Sequence, residues 1–192
     1  MNQAMRTEPR SASPDVLSEL PGELMMWVLI ASEILVFGAA LMAFLAVRAS
    51  DPAGFAANQA LLDQTAAAVN TLVLVTSGFC AAAAVRAREA GARAVARRWL
   101  FVAAALGVAF LVIKGFEYAN KASLGIGVDT SPFFMFYYLV TGFHAAHVMA
   151  GVVLLAIVAW ADSVRNMEAA VAFWHLVDLV WVLLFPIIYV LR

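Results

Sequence analysis

FFMFYYLVTGFHAAHVMAGVVLLAIVAW, residues 133–160, runs for 28 residues without one Asp, Glu, Lys or Arg. About 20 apolar residues wound as a helix reach across the hydrocarbon core of a bilayer. This stretch exceeds that length, which predicts a membrane-spanning helix that tilts or projects from the bilayer. Inside it stand His144 and His147, polar side chains whose place among apolar neighbours needs a reason.

Four further segments meet the same length and composition test: residues 23–47, 64–85, 99–116 and 169–191. The chain of 192 residues is 65% hydrophobic and only 13% charged, far from the balance of a soluble domain. The predicted fold is therefore an all-α integral membrane bundle of five transmembrane helices, with no internal repeat. Residues 1–20 are polar, contain Pro and Ser, and lack the apolar core and cleavage site of a secretory signal. They read as a flexible polar tail ahead of a single membrane domain, residues 21–192. The first span is closed by RASDPAGF, whose Asp-Pro and Gly end a helix. The second is rich in Ala, Ser, Thr and Gly, a small-residue surface that predicts a buried helix. Trp27, Trp99, Trp160 and Tyr189 fall near span ends, where aromatic belts are expected. Cys80, the single cysteine, can form no intrachain disulfide and reads as a packing residue.

Orientation follows from where the cations fall. The connection between the second and third spans carries Arg86, Arg88, Arg93, Arg97 and Arg98, whereas that between the first and second offers only Arg48. The arginine-rich turn is expected on the cytoplasmic side, which puts the N-terminus inside and the C-terminus outside, in the periplasm of a bacterium. The same five arginines are placed to meet anionic lipid headgroups. Membrane topology accounts for the run, so no nucleic-acid partner is expected.

The remaining ionisable residues lie within the spans and are candidates for function. His144 and His147, three apart, share one side of their helix, and His175 and Asp178 have the same spacing. From spacing alone two readings stand: a four-ligand metal site from two adjacent helices, or a pairing of His175 with Asp178 while His144 and His147 bond across helices. Glu33, a third of the way into the first span, is either a proton carrier or a hydrogen-bonding partner of another helix. Glu117 has Lys114 three residues before it and Lys121 four after, which predicts a solvated ion pair at a helix end. No Gly-rich phosphate loop, Ser/His/Asp arrangement or paired cysteines appear, so no catalytic site of the chain's own is expected.

Taken in order, SEILVF in the first span, KGFEY closing the third, TGFHAAHVMAG in the fourth and FWHLVDLVWVLLFPIIY in the fifth resemble subunit III of the haem–copper oxidases. The resemblance covers the chain from about residue 20 onward and is to the five-helix bacterial form. The opening LPGELMMWVLIASEILVFGAALMAFLAVRA looks most like the subunit III-like protein associated with nitric oxide reductase. The resemblance implies a non-catalytic accessory subunit in the bacterial inner membrane, part of a cytochrome c oxidase or nitric oxide reductase type of respiratory complex. It implies that this chain holds no metal and that haem, with copper or iron, sits in partner subunits. It places Glu33 near a lipid-binding cleft as a candidate proton carrier, and it implies that the subunit stabilises the catalytic subunit, supports its proton uptake and binds phospholipid. It makes His144, His147, His175 and Asp178 an intramembrane polar scaffold. A stand-alone membrane metal-binding protein, or a small transporter using the same residues, is the alternative.

Overall fold

The computed structural model describes residues 24–161 and 163–191; the polar tail, residues 1–20, lies outside them. The order is α1 (Leu24–Ser50), α2 (Pro52–Gln59), α3 (Gln64–Glu89), α4 (Arg93–Ser123), α5 (Pro132–Ala161) and α6 (Val164–Phe185), which runs on into a π-helical turn, Pro186–Val190. Among the described residues five helices are long and apolar enough to cross a membrane: all but the short α2.

The helix ends follow local chemistry. Asp51 and Asp63 accept from the amides of Gly54 and Ala66, at 3.0 and 2.9 Å, capping α2 and α3. Pro52 occupies the first position of α2 and Pro132 that of α5, where a missing N–H costs nothing. The turn between α3 and α4 has Gly91 at φ +78°, with the amide of Ala92 reaching back to Ala87 O at 2.9 Å and that of Gly91 to Arg88 O at 3.0 Å. Gly125, at φ +72°, ends α4 with the same 6→1 and 5→2 pair.

Between the Gly91 turn that ends α3 and its own end at Gly125, α4 keeps its charged ends and reaches 31 residues, one more than α5. The apolar window, residues 99–116, underestimates it. The expectation of a buried second span is also corrected. Only one stripe of α3 is enclosed, Leu74, Ser77, Gly78, Ala81 and Ala84 among it, while Val69, Leu72 and Phe79 are exposed. The most enclosed span is the last, since α6 is packed by α1, α3 and α5 together.

Two tryptophans on α6 organise this centre. The ring of Trp174 fills the space that side chains at Gly107 of α4 and Gly151 of α5 would occupy: a Cβ there would stand 2.6 and 2.5 Å from it. Its Nε1 donates to Ser77 Oγ at 3.1 Å, and Ser77 donates to Ala103 O at 2.7 Å, joining α6, α3 and α4. Trp181, one heptad on, donates to Thr71 Oγ1 at 3.0 Å. Lipid supplies no hydrophobic drive for helix association, so close packing at glycines and interhelical hydrogen bonds of this kind hold such a bundle. By contrast α1 is attached through a few rings: Phe37 on Phe143 at 5.2 Å, and Phe44 on Phe55 and Phe133 at 5.5 and 6.0 Å.

Candidate functional site

The intramembrane polar residues separate into three places, and each has a different state of satisfaction. The first joins α1 to α5. His147 Nδ1 lies 2.9 Å from Phe143 O, one turn back on its own helix. A carbonyl only accepts, so Nδ1 carries a hydrogen and Nε2 faces outward. Nε2 stands 3.2 Å from Glu33 Oε2, close enough for an ion pair but misaligned for a hydrogen bond. The pair is half-buried, and Phe37, four residues after Glu33, packs edge-on to the His147 ring at 5.7 Å.

His144 is one turn from His147 and fully enclosed. It stacks on Trp181 at 5.1 Å and meets Phe110 edge-on at 5.6 Å. Neither ring nitrogen has a hydrogen-bond partner among the described residues, so the expected bond across helices is replaced by ring stacking.

The second place is near the end of the bundle remote from the arginine turn. Lys114 Nζ donates to Glu117 Oε2 at 3.0 Å, but the pair is buried, and the expectation of a solvated helix-end pair is corrected. Tyr137 of α5 donates to Glu117 Oε1 at 2.8 Å and Tyr189 of the π-helical turn at 3.0 Å. Lys114 also donates to both tyrosine hydroxyls and lies over the Tyr118 ring at 5.2 Å. Lys121, equally buried, donates to Leu61 O in the connection before α3 instead of to Glu117. Tyr189 is therefore a core ligand of the ion pair and not a belt residue. Sequence reasoning missed Tyr137 and Tyr189 as partners; the signal available was a tyrosine hydroxyl inside an apolar run, which requires a polar neighbour.

The third place is the seam between α3 and α6. Asp178 Oδ2 approaches Gly78 of α3 so closely that a Cβ there would lie 2.4 Å away, and His175 Nδ1 would be 3.5 Å from the same point. The expected His175–Asp178 hydrogen bond is not formed: Asp178 Oδ1 is buried without a partner among the described residues, and the His175 ring is exposed. These two residues and the histidines of α5 lie on opposite sides of α6. Among the described residues no three His, Cys, Asp or Glu side chains come together as a metal cluster, so the four ligands of the metal reading do not converge.

At the far end, Arg88, Arg93 and Arg97 border a cavity of about 240 Å³ with an apolar wall that includes Leu100, Val158 and Met167. Arg97 Nε donates to Ala159 O at 3.0 Å, and its guanidinium lies 5.5 Å from the centre of the Trp160 ring. Arg86 and Arg98 are exposed beside them.

Comparison with known proteins gives these positions a context. The family model described as cytochrome c oxidase subunit III matches residues 19–192. A Mycobacterium tuberculosis protein named probable cytochrome c oxidase subunit 3 is 30% identical over 173 residues, covering 86% of this chain and 85% of its own. The protein of that name from Nocardia farcinica is 29% identical over 171 residues, covering 85% and 84%. Cytochrome c oxidase subunit 3 of Synechocystis is 33% identical over 132 residues, 64% of this chain and 55% of its own.

Proposed function

Because the chain belongs to the cytochrome c oxidase subunit III family, we propose that it is the accessory subunit of a haem–copper terminal oxidase, associated with the catalytic subunit in a bacterial inner membrane. The observation that carries this reading is the family match across all five spans, residues 19–192. Its relatives reported above are named as oxidase subunits, which favours an oxidase over nitric oxide reductase as the complex. Haem and copper then belong to the partner subunits. The arginine turn faces the cytoplasm, where the cavity beside Arg88, Arg93 and Arg97 suits an anionic phospholipid headgroup.

In this reading Glu33 and His147 support proton uptake by the complex, since they bring a carboxyl and an imidazole within 3.2 Å of each other at membrane depth. Phospholipid chains lie along the outward-facing surface of α1. Glu33→Gln is expected to assemble normally but to slow proton uptake or shorten the working life of the oxidase. Uptake and activity decay, measured in reconstituted vesicles, would be unchanged if Glu33 only ties α1 to α5. The role as a whole is tested by mild-detergent purification of the tagged chain with an optical spectrum: a co-purifying haem-bearing subunit is expected, and a colourless chain alone overturns the reading.

A further inference from the structure

We propose that the α3–α6 seam at Asp178 and His175 is a docking face for a transmembrane helix of the catalytic subunit, which supplies a hydrogen-bond donor to Asp178. The proposal rests on the accessory-subunit reading. Asp178 sits midway along its span, Val164–Val190, and Gly78 is central in Gln64–Glu89, so the seam lies at the depth of the hydrocarbon core. Lipid tails offer no donor there, and an ionisable side chain facing them is costly.

The other ionisable groups deep in the spans find partners or enclosure inside the chain. Lys114 and Glu117 pair with each other and with two tyrosines, and Glu33 meets His147. His144 is unpartnered but sealed from outside by rings. At the seam the half-buried Asp178 carboxyl, whose enclosed Oδ1 has no partner among the described residues, lies beside the exposed imidazole of His175. Gly78 lets α6 bring the Asp178 carboxyl close against α3, and Val75, Leu179 and Val182 present exposed apolar side chains along the flanks, as a neighbouring helix needs. A neighbouring helix with a hydroxyl, amide or indole N–H at this depth would satisfy Asp178 and remove His175 from lipid.

The experiment uses the whole complex in its native membrane, with the photo-crosslinking residue p-benzoylphenylalanine placed at Leu179 or, as a control, at Val153 on α5; both sites are 52% exposed. Leu179 is expected to crosslink to the haem-bearing subunit and Val153 is not. Asp178→Leu should lower the haem recovered with the tagged chain by about tenfold, the weight of one charge-assisted hydrogen bond, and Asp178→Asn should lower it less. The thermal transition of each purified variant separates lost docking from lost folding. A crosslink from Leu179 to a second copy of the chain, or to lipid alone, overturns the proposal, as does full haem recovery with Asp178→Leu. If the unaltered chain recovers no haem, it is the accessory-subunit reading that fails.

Discussion

At the scale of single residues, the buried Lys114–Glu117 pair has most at stake. Both charges are removed from water, and the two tyrosine hydroxyls satisfy oxygens and protons that the pair alone would leave open. Removing one member leaves the other buried and uncompensated, whereas removing both leaves only neutral hydroxyls behind. Lys114→Met is therefore expected to destabilise the protein by about 3–5 kcal/mol, and the double variant Lys114→Met with Glu117→Leu by less. Unfolding followed by circular dichroism in detergent measures both; equal losses would show that Glu117 finds another partner. The sequence contains the spacing that pairs Lys114 with Glu117 on one helix, but not their burial. Burial comes from Tyr137 and Tyr189, 20 and 72 residues further along, and no local pattern joins those positions. The same holds for Glu33 and His147: each stands out as polar within an apolar run, yet their contact depends on which faces of α1 and α5 meet.

At the scale of elements, periodicity and length located the five spans, because apolar runs of that length have one stable form in lipid. What they missed were features set by caps and by contacts. The eight-residue α2 has too little apolar length to register, and it forms on the Asp51 cap and the rings of Phe44 and Phe133. The π-helical turn after Pro186 is likewise tertiary in origin. Its carbonyls at Ile188 and Tyr189 accept from Gln59 Nε2 at 3.0 Å and Gln64 Nε2 at 2.7 Å, and Arg48 donates to Leu191 O at 2.5 Å. Three elements thus hold the last turn of the chain by side-chain donors. Gln59→Leu keeps the volume but removes a buried donor and leaves Ile188 O to a less favourable arrangement, at a cost of about 1–3 kcal/mol. Hydrogen exchange should accelerate at residues 186–191 and remain as before in α3 and α4. Unchanged exchange at the C-terminal turn would show that the Gln64 contact suffices.

At the scale of the whole molecule, α3 to α6 and α1 are held by different means, and their stabilities should differ accordingly. Trp174 locks α6 between glycines of α4 and α5 while bonded to α3, so the four helices yield only together. The contacts of α1 are ring pairs, a polar contact from Glu33 to His147 and, at its end, the bond from Arg48 to Leu191 O, and most of its surface faces outward. A segment with few buried contacts opens at a lower free energy than the rest. In detergent, α1 is therefore expected to exchange its amides faster than any of the other four spans, with α6 slowest. Glu33→Leu removes the polar tie within the span, and, because it touches none of the contacts that Trp174 makes, it should accelerate α1 alone. If Glu33→Leu loosened α5 and α6 as well, the Glu33–His147 contact would be part of the central packing and the division into a firm four-helix body and a lightly held first helix would be wrong. If α1 proved as protected as α6 in the isolated chain, its few ring contacts would hold it as firmly as the central packing holds α6, and α1 would not be a lightly held helix.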